Sequence, residues 1–134
     1  MKFFVTLAIL LVPLGLFAQQ QQMSDEEQEK KLFENIEHEV ENYTNTLDLE
    51  DWQVFYVDSI LTHDYFAMRD ELKELNRAKV SNVDLFMAAR DRWNERIYQA
   101  LGKVFNEEQW AKYLKAGAGK EKKSRDKREE KRNR

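Results

Sequence analysis

The longest uninterrupted pattern of apolar and polar positions in the chain runs from Asp48 to Val80 and contains neither proline nor glycine. At about 100° per residue its large apolar side chains fall on one broad side, which predicts a single amphipathic helix. With about 1.5 Å of rise per residue, that helix is roughly 45–50 Å long. The predicted core-facing side comprises Leu49, Trp52, Tyr56, Val57, Ile60, Leu61, Ala67, Met68, Leu72 and Leu75.

Two aromatic residues, Phe55 and Phe66, interrupt the polar side of this helix. They are eleven residues apart, which is three turns, so they project in the same direction. Aromatic rings on a side that otherwise faces water need a partner. We expect Phe55 and Phe66, together with Leu85 of the next helix, to form an apolar surface that contacts another polypeptide. The alternative is a monomeric bundle in which the first or fourth helix covers both rings.

Helix-start signals organise the segment before the long helix. Ser24 to Glu27 has the form of a capping box and opens a first helix whose outer surface is strongly acidic. Asn42 to Thr46, which is polar and partly β-branched, is predicted to be a loop. Asp48 is then predicted to be the N-cap of the long helix. The apolar seam of the first helix comprises Leu32, Phe33, Ile36, Val40 and Tyr43.

A second start signal, Ser81 to Asp84, directly follows the predicted end of the long helix near Val80. A connection this short predicts an antiparallel helical hairpin. Arg90 and Asn94 lie within the apolar stripe of the third helix, and we expect Arg90 to pair with Asp64 or Glu71. The predicted third helix extends from Val83 to Phe105, and its stripe comprises Val83, Phe86, Met87, Trp93, Ile97, Leu101 and Val104.

The chain is therefore predicted to be all-α, with three to four helices. A short fourth helix starts at Asn106 and carries Trp110, Tyr113 and Leu114 on one side; residues 116–119 stop or loosen it. Residues 120–134 contain no apolar side chain and are predicted to be disordered or a fraying helix. The predicted organisation is a signal peptide (1–18), a polar linker (19–23), a helical domain (24–116) and a basic, disordered tail (117–134).

The first eighteen residues have the layout of a secretory signal peptide. Lys2 gives a positive start, Phe3 to Phe17 is almost wholly apolar, and cleavage is predicted after Ala18. An uncleaved anchor is the alternative, although the apolar run is shorter than the ~20 residues that span a bilayer. The predicted location is periplasmic or secreted. Because the chain has no cysteine, neither a disulfide nor a lipoprotein anchor is expected.

Charge divides the chain into an acidic body and a basic tail. From Lys112 onward there are eleven Lys or Arg and four Asp or Glu, a net charge of +7. Since the whole chain carries −3 and Lys2 lies in the signal peptide, residues 19–111 carry −11. We expect the tail either to fold back on the first helix or to bind an external anion such as a lipid headgroup or cell-wall polymer. Nucleic acid is not expected as a partner.

A pentapeptide pattern occurs twice, as Leu49 to Gln53 (LEDWQ) and Phe105 to Gln109 (FNEEQ). Both copies open a helix, and in both the glutamine can return a side-chain bond to the helix entrance. Two independent helix caps that look alike are one interpretation. The other is that the copies are degenerate forms of the Leu-Thr-x-x-Gln motif, with Glu50 and Asn106 in place of Thr and Phe105 in place of Leu.

On the basis of these two pentapeptides, residues 47–114 of the chain resemble the Spy/CpxP family of small periplasmic helical proteins. The resemblance implies a curved helical dimer that binds unfolding client proteins without ATP. Leu49, Gln53, Phe105 and Gln109 are the motif residues that carry the resemblance. The acidic body departs from the positively charged concave surface that the family would imply.

We do not expect this chain to catalyse a reaction. It has no cysteine, no Gly-rich loop and no local Ser-His-Asp grouping, so we predict that it is not an enzyme and needs no cofactor. His38 has Glu34 and Glu41 within one turn, and His63 adjoins Asp64. Two scattered histidines fall short of the three or four ligands that zinc requires in one chain, although a dimer can bring them together.

Binding of unfolded or partner proteins is therefore the leading hypothesis, in the form of an extracytoplasmic holdase-type chaperone. A regulator or metal sensor that docks on a membrane sensor protein is the first alternative. An envelope-structural protein that its basic tail tethers to an anionic surface is the second. A homodimer is compatible with the first hypothesis, since a second copy can cover the exposed apolar side chains.

Overall fold

A computed structural model describes residues 23–134, so the predicted signal peptide and its cleavage site lie outside the described residues. Across residues 23–134 the protein is all-α, without a strand, as predicted. None of the helices in this range is long and apolar enough to cross a membrane. The helices are α1 (Asp25–Leu47), α2 (Asp51–Arg77), α3 (Val83–Val104), α4 (Glu107–Tyr113) and α5 (Gly119–Arg132), with a π-helical turn (Leu114–Ala118) between the last two.

The predicted hairpin of α2 and α3 is confirmed, and it forms the centre of the molecule. α1 packs along α2, α4 follows the C-terminal end of α3 and contacts the start of α2, and α5 lies against the middle of α3. The fully buried side chains at the centre are Ile36 of α1, Val57 and Leu61 of α2 and Leu101 of α3. Each contributes about 1.5–3 kcal/mol through burial. Because the bundle is only two to three helices thick, much of the surface of α2 is left uncovered.

The connection between α1 and α2 differs from the sequence prediction. The predicted loop at residues 42–46 is helical; within it Thr44 and Thr46 each donate a side-chain hydrogen bond of 2.7 Å to the carbonyl four residues earlier, so both hydroxyls are satisfied inside the helix. α1 ends instead at Leu47, and its C-cap Asp48 has a left-handed φ of 55° and donates its backbone N–H to the carbonyl of Thr44. The prediction that Asp48 caps α2 is therefore wrong; Glu50 is the N-cap.

α2 and α3 are joined by a tight turn. α2 ends at Arg77, three residues before the predicted Val80, and the backbone N–H of Val80 donates to the carbonyl of Leu75 at 3.1 Å. Asn82 starts α3 by accepting a hydrogen bond of 2.9 Å from the N–H of Asp84. A turn this short keeps the two helices adjacent and antiparallel, as the sequence predicted.

The predicted stripe of α3 is confirmed at Ile97 and Leu101 and fails in the first turns of the helix. Ala89, Ile97 and Leu101 are buried, whereas Val83 is 72% exposed. The small side chain of Ala89 gave no strong apolar signal, and Arg90, one residue later, is exposed. The predicted pairing of Arg90 with Asp64 or Glu71 is therefore wrong. Other arginines of α3 contact those carboxylates: Arg96 approaches Asp64 at 3.6 Å and Arg92 pairs with Glu71.

The segment after α4 is helical from Gly119 to Arg132, which agrees with the helical alternative for the tail and not with a disordered one. Gly117 has a φ of +138°, which L side chains rarely adopt, and it redirects the chain into α5. α5 lies against α3, and not against the first helix as one prediction had it. Ion pairs to Asp91 and Glu95 of α3 hold it there. Because charged side chains make the contact between α5 and α3, the apolar periodicity of the sequence did not predict it.

Candidate protein-binding surface

The first turns of α2 carry an exposed aromatic cluster that consists of Trp52, Phe55 and Tyr56. Their exposed fractions are 51%, 67% and 52%, respectively. The ring centroid of Tyr56 lies 5.6 Å from that of Phe55 and 6.2 Å from that of Trp52, and both pairs are edge-to-face. Edge-to-face packing of this kind is favourable, so the three rings support one another at the surface.

The cluster points away from the core because of where the buried positions of α2 fall. Gln53 and Val57 are buried, and each is two residues from Phe55, about 200° around the helix. Phe55 therefore faces solvent, as the sequence predicted. Trp52 and Tyr56 were predicted to face the core, and that prediction is wrong. Phe55 and Tyr56 follow Trp52 by three and four residues, a spacing that places side chains next to one another on a helix surface. That spacing is the sequence signal that could have grouped the three rings.

Carboxylates border the aromatic cluster. The indole Nε1 of Trp52 donates a hydrogen bond of 2.6 Å to Oε2 of Glu50. Asp51 and Asp58 are exposed on the same turns of α2. The surface thus combines apolar rings with negative charge, which suits a polypeptide segment that carries both apolar and basic side chains.

Phe66 does not share the environment of Phe55, although both lie on the same side of α2. It is about 16 Å further along the helix, where α1 covers it. Its ring centroid lies 4.7 Å from that of Phe33 of α1, and the guanidinium of Arg69 lies 4.7 Å from the ring centroid. The alternative in which another helix covers both rings thus holds for Phe66 and fails for Phe55.

Leu85, the third predicted surface residue, lies at the other end of the hairpin. It is 49% exposed, beside Val83 (72%) and Met87 (40%) in the first turns of α3. Because α3 starts next to the end of α2, Leu85 is on the order of 30 Å from Phe55 along the hairpin. Phe55 and Leu85 therefore lie in two separate apolar areas, the aromatic cluster and this hairpin tip, and the structure does not join the three predicted residues in one strip.

The two pentapeptides meet behind the aromatic cluster, in what we term the glutamine junction. Gln53 donates to Oε1 of Gln109 at 2.7 Å, and Gln109 donates back to Oε1 of Gln53 at 3.1 Å. The second amide hydrogens reach the carbonyls of Val104 and Asp48 at 3.0 and 3.5 Å. Both glutamines are buried, at 3% and 6% exposure, so the junction satisfies amide groups that would otherwise be costly to bury.

The same two glutamines cap the helices that they open. Oε1 of Gln53 accepts the backbone N–H of Glu50 at 2.9 Å, and Oε1 of Gln109 accepts that of Asn106 at 3.0 Å. The predicted side-chain bonds from both glutamines to the helix entrances are thus confirmed. The apolar residues that begin the pentapeptides, Leu49 and Phe105, are 9% and 7% exposed and belong to the core. This arrangement fixes α4 against the start of α2.

Three half-buried tyrosines pack around the same end of the core. Tyr43 of α1 and Tyr65 of α2 donate hydrogen bonds of 2.9 and 3.1 Å to one carboxylate oxygen of Glu39. Burial, and then the charge of Glu39, raises the pKa of both hydroxyls. Burial and the same carboxylate raise the pKa of Tyr113 of α4 to about 12. These hydroxyls therefore remain protonated, and hydrogen-bond donors, throughout the neutral range.

An ion-pair clasp holds α5 on α3. Asp91, 6% exposed, accepts two hydrogen bonds of 2.8 Å from Arg128 and two of 3.2 Å from Arg132. Glu95 accepts from Lys122 at 2.5 Å and from Arg125 at 3.1 and 3.2 Å. Burial alone would raise the pKa of both carboxyls, but these hydrogen bonds outweigh it and leave each pKa below its usual value.

The two histidines are separated on the described chain. His38 is exposed on α1, and Nδ1 of His63 lies 2.7 Å from Oδ1 of Asp64. Residues 23–134 contain no group of three or more His, Cys, Asp or Glu side chains arranged to hold a metal ion.

Comparison with known proteins gives no relative: no family model, no curated protein and no solved structure matches the chain. The function proposed below is therefore argued from the residues and the geometry alone.

Proposed function

We propose that the protein is an extracytoplasmic, ATP-independent binding protein for unfolding or partner proteins, of the holdase type, and not an enzyme. The aromatic cluster, Trp52, Phe55 and Tyr56, is the surface that contacts the client. We further propose kinship with the Spy/CpxP family. The exposure of Phe55, at 67%, is the observation that carries the proposal.

Binding at such a surface needs neither a cavity nor a nucleotide. The three rings offer apolar contact area that is already held in place by edge-to-face packing, so little conformational entropy is lost when a client segment binds. The carboxylates of Asp51 and Asp58 attract segments with basic residues and accelerate encounter. Loose and reversible binding of exposed apolar segments follows from this combination.

Two further observations support the proposed extracytoplasmic location and the proposed kinship with the Spy/CpxP family. The amino-terminal eighteen residues have the pattern of a secretory signal peptide. The glutamine junction joins the two pentapeptides on which the resemblance depends, through hydrogen bonds of 2.7 and 3.1 Å between Gln53 and Gln109.

Suppression of aggregation of a chemically denatured client is the test. The wild-type protein is expected to suppress aggregation at a near-stoichiometric ratio. Phe55→Ser/Tyr56→Ser removes two exposed rings without opening the core, and we expect it to need several times more protein for the same effect. Fluorescence of a labelled client would give the corresponding change in affinity.

Val83→Ser is the matched control, because it removes an exposed apolar side chain at the hairpin tip, 72% exposed and far from the cluster. We expect it to behave as wild type. Equal weakening by both variants would assign binding to apolar exposure in general and not to the cluster. No suppression by the wild-type protein, even in large excess over several clients, would reject the holdase function; saturable binding to a single partner would favour a regulator instead.

A further inference from the structure

The outward side of α5 carries a row of four lysines, which we term the lysine row: Lys120, Lys123, Lys127 and Lys131. Their spacing of three, four and four residues places them on one side of the helix, over about 16 Å. All four are exposed. The ion pairs that α5 makes in the described structure use other side chains: Lys122, Arg125, Arg128, Arg132 and Arg134.

The inner side of α5 fixes the direction in which this row points. The ion-pair clasp joins that side to Asp91 and Glu95, and the charged groups of Lys122 and Arg125 lie 5.5 and 5.4 Å from the ring centroid of Tyr98. The lysine row lies on the opposite side of a helix held at two successive turns of α3. Its four ammonium groups are thus presented together, as a convex basic surface on a body that carries −11 over residues 19–111.

We propose that the lysine row is a docking surface for an anionic lipid bilayer. Residues 120–134 contain no apolar side chain, so α5 cannot insert between acyl chains and would bind headgroups by charge alone. The same segment contains no aromatic side chain on which nucleic-acid bases could stack. A straight row of about 16 Å on one exposed side of a helix fits a flat array of phosphates better than a flexible polyanion. The acidic body would be repelled, which orients the protein with α5 toward the membrane.

Sedimentation with vesicles of equimolar phosphatidylglycerol and phosphatidylcholine tests the proposal. The wild-type protein is expected to bind at low ionic strength and to dissociate near 1 M salt, where the Debye length falls to about 3 Å. Each lysine near such a surface is worth about fivefold in affinity, so Lys123→Gln/Lys127→Gln should bind about 30-fold more weakly.

The matched control removes the same charge elsewhere. Lys30→Gln/Lys31→Gln changes two exposed lysines of α1 and should bind as wild type. Equal weakening by both double variants would show a dependence on net charge alone and would overturn the proposal. So would equal binding of the wild type to pure phosphatidylcholine vesicles, or binding to soluble polyphosphate with none to vesicles. The readouts are independent of client binding, so they test this surface whether or not the proposed function holds.

Discussion

The last two helices of the described chain, α4 and α5, are attached to the same hairpin by opposite chemistry. α4 is fixed by the glutamine junction, in which uncharged amides exchange hydrogen bonds out of contact with water. α5 is fixed by the ion-pair clasp, in which four cations contact two carboxylates. Arg128 and Arg132 keep 40% and 32% of their side chains exposed in that clasp, whereas both glutamines are nearly inaccessible.

This difference means that the two attachments respond to different conditions. A buried amide pair has no charge to titrate or to screen, and breaking it leaves unsatisfied polar groups. A partly exposed ion pair is weakened by salt and depends on the ionisation of its carboxylates. We therefore expect α4 to remain attached under conditions that release α5, and the four predictions below test that separation.

Alkaline pH should have the largest effect, on the α4 end. The pKa of Tyr113 is raised to about 12, and those of Tyr43 and Tyr65 are raised by burial and by Glu39. Because an unfolded tyrosine ionises near 10, stability is complete below that pH and is lost as the pH rises from about 10 through 12. Each such tyrosine costs up to about 1.4 kcal/mol per pH unit in that window.

Circular dichroism in the near ultraviolet, combined with an absorbance titration of tyrosine, would measure this loss. The expected result is that unfolding and the ionisation of these tyrosines occur together. If all five tyrosines of the chain ionised near pH 10 while the protein stayed folded, the buried hydroxyl cluster would not be present in solution.

Removing one member of the glutamine junction should have the next largest effect. Gln109→Ala deletes the cap on Asn106 and leaves the buried amide of Gln53 without its partner. We expect the free energy of unfolding to fall by about 2–3 kcal/mol, measured by urea denaturation. Gln99→Ala, which removes an exposed glutamine of α3, is the control, with an expected change within about 0.5 kcal/mol. Similar losses for both variants would contradict the structural role of the junction.

Acid should release α5 and spare α4. The pKa values of Asp91 and Glu95 are below their usual range, so the clasp contributes stability above about pH 4 that is lost as the pH falls through the lowered values. Hydrogen exchange is the measurement: the amides of α5 should lose protection in acid before those of α4. Simultaneous loss in both helices would mean that α5 is not held by these carboxylates alone.

The sequence was informative where apolar periodicity and capping chemistry decide the structure. The hairpin and its antiparallel direction followed from the long pattern and the short connection, and the caps at Gln53 and Gln109 followed from the pentapeptides. The end of α1 could not be read in this way. Thr44 and Thr46 favour a loop by propensity, but their hydroxyls bond to the preceding turn and the helix continues.

The candidate surface was predicted only in part, because exposure depends on which neighbours a helix has. Phe55 and Phe66 occupy equivalent positions on α2, and their different environments arise from the course of α1, which places Phe33 over Phe66 alone. The position of α5 was also beyond prediction. In the sequence, Asp91 and Glu95 look like any pair of exposed acids on a helix. Their role depends on the kink at Gly117, which brings four cations of α5 next to them.

The smallest of the four effects should come from Asp91→Asn, which weakens the clasp while keeping the size of the side chain. Both arginine partners are more than three-tenths exposed, so we expect a loss of only about 1 kcal/mol, and a smaller loss at high salt. Asp70→Asn removes the same charge from an exposed ion pair of α2 and should change stability by less than about 0.5 kcal/mol. Since Asp91 and Gln109 belong to separate attachments with no shared partner, their losses should add in the double variant within about 0.5 kcal/mol. A clear departure from additivity would mean that α4 and α5 form one cooperative unit. The two helices would then not detach independently, despite the different chemistry of the amide junction and the ionic clasp.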